Sequence, residues 1–291
     1  MSTLADNFNL NQQYSREIKS LLAFVCKKDL SWLLSYPEYQ LTPPEESLFK
    51  KSYQLLITGT PLAYIVGEKS FYNYNFKVSP SVLIPRPETE LIVDRAIEYL
   101  QNSQDKTACL DIGTGSGAII VSVAAELQKI SPKIFESCDF MAGDISSTAL
   151  AQAKINTQAY SLENKINFFS GNLFTVFIEV LNKHNIKSLF IAANLPYLTP
   201  EERKREKSIK LEPDLALLGG TNGLDLYLKL LQQLSEHQDK FNFHLMMEIN
   251  PEQAEGLIQL SSKYLKKAHI KKTSDLKGQT RFIELIQDRQ V

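Results

Sequence analysis

Gly113, Gly115 and Gly117 stand at every second position of the stretch L-D-I-G-T-G-S-G, Leu110 to Gly117. Ahead of them Ala108, Cys109, Leu110 and Ile112 read as a short buried strand, and behind them Ala118 to Leu127 reads as a helix. Glycines at such a junction let the backbone turn tightly and approach a ligand with no Cβ in the way. The helix N-terminus presents free N–H groups and a positive dipole end, a seat for a carboxylate or phosphate. Asp144 ends a second apolar stretch, F-M-A-G-D. In an open α/β sheet an acid at that strand end hydrogen-bonds the ribose hydroxyls of an adenosine. Turn and acid together predict a nucleoside site; the alternative is a tight turn that holds no ligand.

Asp111 narrows the nucleoside. Read from Gly113, the segment G-T-G-S-G-A places its third glycine one position early for the dinucleotide fingerprint G-x-G-x-x-G. A carboxylate just before the turn would repel a pyrophosphate and suits an amino or other positive group. The pattern D-x-G-x-G-x-G resembles the motif of the S-adenosylmethionine-dependent methyltransferases, which implies a methyl donor carried on a sulfonium.

The second informative stretch is Asn194, Leu195, Pro196 and Tyr197, at the end of an apolar run from Ser188 to Ala193. If that run is a parallel strand, its carboxyl end puts Asn194 on the same sheet edge as Gly113 and Asp144. Pro196 holds Leu195 extended, with its carbonyl outward. The Asn194 side-chain oxygen and the Leu195 carbonyl can then accept from one NH2 group while Tyr197 lies against the plane that NH2 belongs to. An amide-type nitrogen is a poor nucleophile because its lone pair is delocalised. Two fixed acceptors on its hydrogens raise its electron density and aim the lone pair at a methyl group, and they bind more tightly as positive charge develops. The bland reading is an ordinary Asn-x-Pro turn.

The remaining elements must carry these two stretches. At 291 residues the chain has room for one domain of ordinary size and a smaller one, and 43% hydrophobic with 22% charged residues is the composition of a globular chain with a sizeable core. A net charge of -1 argues neither for nor against nucleic acid. Cys26, Cys109 and Cys138 lie far apart with no C-x-x-C spacing, so they read as buried reduced thiols of a cytosolic, cytoplasmic protein, and no metal site is expected. No signal peptide or membrane span is visible.

Residues 1 to about 70 read as a helical domain. Leu21, Leu22, Phe24 and Val25, then Leu30, Trp32, Leu33 and Leu34, recur at helix-like spacing. Thr42 caps a helix start T-P-P-E-E, whose stripe carries Leu48, Tyr53, Leu55, Leu56 and Ile57. Such a cap either recognises a partner or only packs. Residues 71–86 open on alternating aromatic and polar residues that predict a linking β-hairpin with Asn73 and Asn75 in its turn. Pro85, Arg86 and Pro87 form a rigid frame before a helix over residues 87–100. Arg86 either lines a site or is a solvated charge.

After the glycine turn, strand and helix alternate, which predicts a parallel sheet with helices on both faces. Asn172 and Leu173, after a strand at Ile166 to Phe169, plausibly flank an adenine, one polar and one apolar; Leu173 and Phe174 read equally as core. At the tail, Phe243 to Ile249 reads as a strand and Gln253 to Leu265 as a helix. Two strands around D-L-K-G-Q-T would complete seven strands with one antiparallel edge. Arg281 either anchors that edge or faces a partner.

Four segments, L-I-P-R-P-E-T-E at Leu83 to Glu90, L-D-I-G-T-G-S-G-A at Leu110 to Ala118, N-L-P-Y at Asn194 to Tyr197 and L-E-P-D-L-A-L-L-G-G-T-N-G-L-D at Leu211 to Asp225, resemble the peptide chain release factor glutamine methyltransferases in order and spacing. The resemblance covers nearly the whole chain. It implies a class I, Rossmann-like α/β methyltransferase domain over residues 87–291, a hairpin linker over 71–86 and a helical substrate-recognition domain over 1–70. The implied reaction methylates the side-chain amide of the glutamine in the Gly-Gly-Gln motif of release factors. Carried over, Asp111, Gly113, Thr114, Gly115, Ser116, Gly117, Asp144, Asn172, Leu173 and Asn194 would contact S-adenosylmethionine. Asn194, Leu195, Pro196 and Tyr197 would hold the glutamine.

Two positions depart from the family pattern: Leu195 replaces the first proline of N-P-P-Y, and Asn172 stands where an acid is common. N-L-P-Y also resembles the ribosomal RNA adenine dimethyltransferases, the runner-up. For that reading, R-K-R-E-K-S-I-K and Lys263, Lys266, Lys267, Lys271 and Lys272 would have to bind phosphates. Acids interrupt them, so a solvated face accounts for them better. The Pro-Arg-Pro and Glu-Pro segments have no place in the RNA enzymes and favour the protein substrate.

Overall fold

The structure, a computed structural model, describes residues 2–206, 209–275 and 277–288. The chain divides into two compact units, Met1–Glu68 and Lys69–Val291.

In the first unit, α1 (Leu4–Phe8), α2 (Ser15–Cys26), α3 (Leu30–Ser35), α4 (Pro43–Ile57) and α5 (Leu62–Val66) enclose a core that includes Leu4, Ile18, Leu21, Leu22, Val25, Leu33, Phe49 and Leu56. Thr42 begins α4 as expected: the Glu45 carboxylate accepts from its N–H at 2.8 Å and its hydroxyl at 2.7 Å. The stripe expected on α4 is corrected in part: Leu56 is in the core and Tyr53 packs against it, as expected. Phe49, Ser52 and Leu56 face inward, while Leu48, Leu55 and Ile57 are exposed, as are Phe24, Leu30 and Leu34. Positions 48 and 55 keep the same spacing as 49 and 56 but lie one residue, about 100°, around the helix. Periodicity alone does not say which of two adjacent stripes meets the core.

The hairpin is shorter and earlier than expected, β1 (Glu68–Phe71) and β2 (Tyr74–Lys77), with Tyr72 at φ 54° and Asn73 in the turn. Asn75 is a strand residue, and residues 78–86 run on without regular structure. Pro87–Thr89 is a single 3₁₀ turn leading into α6 (Glu90–Asn102).

The strands and helices that follow are β3 (Thr107–Ile112), α7 (Ala118–Ile130), α8 (Pro132–Ser137), β4 (Asp139–Asp144), α9 (Ser147–Ala159), β5 (Ile166–Ser170), α10 (Ile178–Lys183), β6 (Ser188–Ala193), α11 (Pro200–Arg205), α12 (Asp225–Ser235), β7 (Asn242–Glu248), α13 (Ala254–Tyr264), β8 (His269–Ser274) and β9 (Thr280–Gln287). They build one sheet in the order β5-β4-β3-β6-β7-β9-β8. The first five strands of that order are parallel, and β9 runs antiparallel to both β7 and β8. The antiparallel strand is therefore one place in from the edge, which corrects the expected antiparallel edge. The apolar T-R-F-I-E-L-I-Q of β9 is mostly buried, whereas the lysines of H-I-K-K-T-S in β8 tolerate the edge and blunt it.

One apolar cluster, with α6 and α7, covers one face of the sheet; a second, with α12 and α13, covers the other. The chain leaves β3 towards β4 and β5, then returns to lay β6 on the opposite side of β3. Ligands of open α/β sheets bind at such a reversal, outside the carboxyl ends of the strands. In register, Ile112 pairs with Gly143 on one side and Ala193 on the other, so the segments after β4, β3 and β6 emerge side by side.

Candidate active site

Over the reversal lies a cavity of about 320 Å³ whose lining includes Gly113, Gly115, Asp144, Ile145, Asn172, Leu173, Asn194, Leu195 and Pro196. Gly113 and Gly115 take φ of 74° and 54°, backbone that costs side-chain-bearing residues strain, and a Cβ on Gly113 would stand 2.9 Å from Leu195 Cδ2. The turn is closed from below: Gly113 and Thr114 donate their N–H groups to the Gly143 carbonyl at 2.8 and 3.0 Å. Asp144 accepts from Gly115 N–H at 3.0 Å and from Ser146 N–H at 2.9 Å, which leaves lone pairs on each oxygen for further donors. Burial raises its pKa, against the pull of those backbone donors.

Asp111, Thr114, Ser116 and Gly117 are not among the residues that line this cavity. They support the turn from beneath. Asp111 is 1% exposed, its Oδ2 accepts from the Thr114 hydroxyl at 2.7 Å, and its buried Oδ1 has no hydrogen-bond partner among the described residues. Burial pushes its carboxyl up to about 7; the Thr114 hydroxyl opposes and the Asp144 charge adds to the rise. A Cβ on Gly117 would stand 3.1 Å from Ala153 Cβ, so this glycine lets α7 and α9 pack. The Ser116 carbonyl accepts from Asn156 at 2.8 Å, and Asn156 also exchanges hydrogen bonds with both backbone groups of Lys77. That buried asparagine, which sequence reading missed, ties the hairpin to the glycine turn.

Leu173 lines the cavity at φ 60°, a sparsely populated conformation for a side-chain-bearing residue, and Phe174 is fully buried. The Gln233 side chain accepts from the N–H groups of Phe174 at 2.9 Å and Thr175 at 3.3 Å and braces the turn. Asn172 is exposed on the cavity rim.

A second cavity of about 190 Å³ adjoins the first. Leu83, Asn194, Leu195, Pro196 and Ala216 line both, and Arg86, Tyr197, Leu198 and Leu217 belong to the second. Asn194 donates from Nδ2 to the Thr89 hydroxyl at 3.0 Å, and no donor among the described residues reaches its Oδ1. Leu195 N–H donates to the Tyr227 hydroxyl at 3.2 Å, and that hydroxyl donates to the Glu248 carbonyl. A proline at 195 has no N–H to give, so the departure from N-P-P-Y comes with its own anchor. The Tyr197 phenol is pushed up to about 12 by burial and the Glu248 charge, opposed by Arg281 and Arg86.

The two motifs with no evident chemistry meet here. Glu212 is 3% exposed; it accepts from Ile84 N–H at 3.1 Å and pairs with the Arg86 guanidinium at 2.5 Å. Arg86 therefore lines the second cavity as one half of an ion pair that holds the Pro-Arg-Pro frame. Across the Leu198–Leu218 bridge Leu198 donates its N–H to the Leu217 carbonyl and accepts from the Gly219 N–H, each at 2.9 Å, and a Cβ on Gly219 would stand 2.4 Å from the Pro196 carbonyl oxygen. Gly219 and Gly223 leave room for the Pro196–Tyr197 backbone that rests on them, while a Cβ on Gly220 would meet the Asp225 side chain. Arg281 on β9 lies 3.8 Å from Glu248 at the end of β7.

The basic segments carry ion pairs instead of a bare surface: Arg203 with Asp214, Lys267 with Asp239, Lys271 with Glu284 and Lys272 with Glu255. Residues 207 and 208 of R-K-R-E-K-S-I-K lie outside the described residues. Cys26, Cys109 and Cys138 are buried free thiols. No helix among the described residues is long and apolar enough to cross a membrane.

The fold matches the catalytic domain of hMettl16 solved in complex with MAT2A 3'UTR hairpin 6, with a TM-score of 0.56 and 14% identity over 90% of this chain and 93% of that one. Sheet order, glycine turn and strand-end acid define a class I methyltransferase. Residues 6–67 match the PrmC N-terminal domain model. The release factor glutamine methyltransferase of Coxiella burnetii is 31% identical over 259 residues, 87% of this chain and 87% of that protein. That of Dictyoglomus turgidum is 32% identical over 271 residues, 93% and 90% of the two chains. The chain belongs to the release factor glutamine methyltransferase family.

Proposed function

We propose that this protein transfers a methyl group from S-adenosylmethionine to the side-chain amide nitrogen of the glutamine in the Gly-Gly-Gln motif of peptide chain release factors. The observation that carries the reading is Asn194, shared by two adjoining cavities, with its Nδ2 tied back to Thr89 and its Oδ1 open. Whole-chain relatives that carry the release factor name favour this acceptor over ribosomal RNA.

S-adenosylmethionine fits the first cavity by the chemistry of its walls: an open glycine turn for the amino-acid end, Asp144 for the ribose hydroxyls, and Ile145 and Leu173 for the base. When bound it supplies an electrophilic methyl on a sulfonium. Asn194 Oδ1 and the Leu195 carbonyl accept the two N–H groups of the glutamine amide, hold its plane, and point its lone pair back across Asn194. As the amide nitrogen takes the methyl and the methyl–sulfur bond breaks to leave S-adenosylhomocysteine, the nitrogen gains positive charge and these acceptors bind it more strongly. One of its two N–H protons then leaves to solvent, so the site stabilises the transition state without a strong base. Tyr197 packs on the amide face, and the Pro196 and Leu195 side chains exclude water.

Residues 1–70 serve as the substrate-recognition domain, residues 71–86 as its linker and 87–291 as the catalytic domain; the match of residues 6–67 to the PrmC N-terminal domain supports the first assignment. The partner is a release factor, and the protein works in the cytoplasm, where translation ends. The test is label transfer from S-adenosylmethionine to a purified release factor. Asn194→Ala should lower the rate about a hundredfold or more, the scale of one preorganised polar contact. A release factor with its motif glutamine replaced by alanine should accept nothing. Undiminished labelling of that variant, or transfer to protein-free ribosomal RNA alone, refutes the assignment.

A further inference from the structure

Asn194 can serve as an acceptor only if its carboxamide is held one way round. Its two ends differ by an oxygen against an NH2, and rotation by half a turn would present donors to a substrate that itself brings donors. The structure shows what faces the other end. Thr89 Oγ1 lies 3.0 Å from Asn194 Nδ2 and 2.6 Å from Glu248 Oε2, and Glu248 is fully buried at the end of β7. A threonine hydroxyl has one proton. Given to an ionised Glu248, it leaves only lone pairs for Asn194, which must then turn its NH2 toward Thr89.

We propose that Thr89 and Glu248 form a positioning relay that sets the orientation of the Asn194 carboxamide, and that protonation of Glu248 reverses it. With a proton on Oε2, Glu248 donates to Thr89, Thr89 donates to Asn194 Oδ1, and the amide NH2 swings toward the methyl acceptor. This rests on the reading that Asn194 Oδ1 accepts from the substrate amide.

Among the described residues, charged and titratable groups face Glu248 from several elements. Arg281 on β9 stands 3.8 Å from Oε1, and Glu88 and Arg86 lie on the segment before α6. The Tyr197 phenol faces it from the loop after β6, and the Tyr227 hydroxyl on α12 donates to its backbone carbonyl. Oε1 is buried with no hydrogen-bond partner among the described residues, so the charge is incompletely compensated. Burial pushes the carboxyl up to about 7; Thr89 and Arg281 oppose it and Glu88 adds to it. The relay therefore has its working polarity above pH 7 and loses it as pH falls through that value.

The test is kcat for release factor methylation against pH, at saturating S-adenosylmethionine so that titration of Asp144 is not read. The wild-type rate should fall on the acid side of pH 7. Thr89→Val, with the hydroxyl gone, should lower kcat at pH 8 by about tenfold, one net hydrogen bond, and abolish the acid limb while cofactor affinity stays unchanged. Thr89→Ser should restore both rate and limb. Glu248→Gln, whose Nε2 turns to Thr89 as its Oε1 turns to Arg281, should hold the low rate at every pH.

Wild-type kcat in Thr89→Val, or an acid limb that survives in both Thr89→Val and Glu248→Gln, overturns the relay. Should Thr89→Val fail to bind cofactor, the profile of Glu248→Gln decides alone. Asn194→Ala separates the two claims: if it stays active the reading of Asn194 falls, and if it is inactive while Thr89→Val matches wild type only the relay falls.

Discussion

Gly219→Ala perturbs the acceptor loop without touching its side chains. A Cβ at that position would stand 2.4 Å from the Pro196 carbonyl oxygen, 2.7 Å from the Gly223 carbonyl oxygen and 2.7 Å from Tyr197 Cα. Ordinary contact begins at 3.4 Å, so Pro196 and its neighbours must retreat by about 1 Å. All three obstacles are backbone, and none can turn aside as a side-chain end would. The backbone direction at Gly219 itself suits alanine, because it is not among the glycines with positive φ, so the cost is steric alone. A shift of about 1 Å in a positioning loop corresponds to about a hundredfold loss in rate. The assay is initial-rate methylation of a release factor, paired with calorimetric binding of S-adenosylmethionine. We expect kcat to fall by about a hundredfold, with cofactor affinity changed far less because Gly219 is not part of that cavity's lining. A variant that folds and turns over at the wild-type rate would refute the claim that this backbone contact sets the loop.

Asp144→Ala should weaken S-adenosylmethionine binding by on the order of tenfold to a hundredfold, the loss of a charge-assisted contact, while kcat at saturating cofactor changes little; calorimetry and saturation kinetics separate the two. Asp111→Asn addresses stability. An acid that holds its proton more tightly folded than unfolded favours the fold below its ordinary value of 3.8 and loses that contribution as pH rises to its folded value of about 7. Asparagine does not titrate, so the stability gap between variant and wild type should widen from pH 5 to pH 7 and level off above it. Its upper bound is roughly 4 kcal/mol. Thermal unfolding against pH reads this directly, and a constant gap would show that Asp111 is ionised throughout.

Much of this site was legible before folding. Glycine at 113 and 115 follows from a turn that only glycine makes cheaply. Asp144 and Asn194 follow from their place at the ends of apolar runs, since parallel strands bring their carboxyl ends to one rim. The local pattern settled these positions because backbone geometry and burial are local demands. Tertiary structure decided everything that depends on which side chains meet. It placed Asp111, Thr114, Ser116 and Gly117 outside the cavity's lining, and set Phe49 beside Leu56 in the inner stripe of α4 in place of Leu48 and Leu55. It joined Arg86 to Glu212 across 126 positions and Asn194 to Thr89 across 105. It also placed Glu248 beside Asn194, because β7 lies next to β6 in the sheet. No spacing rule announces such pairs: the chain between them is long, and only the packed sheet fixes who is a neighbour.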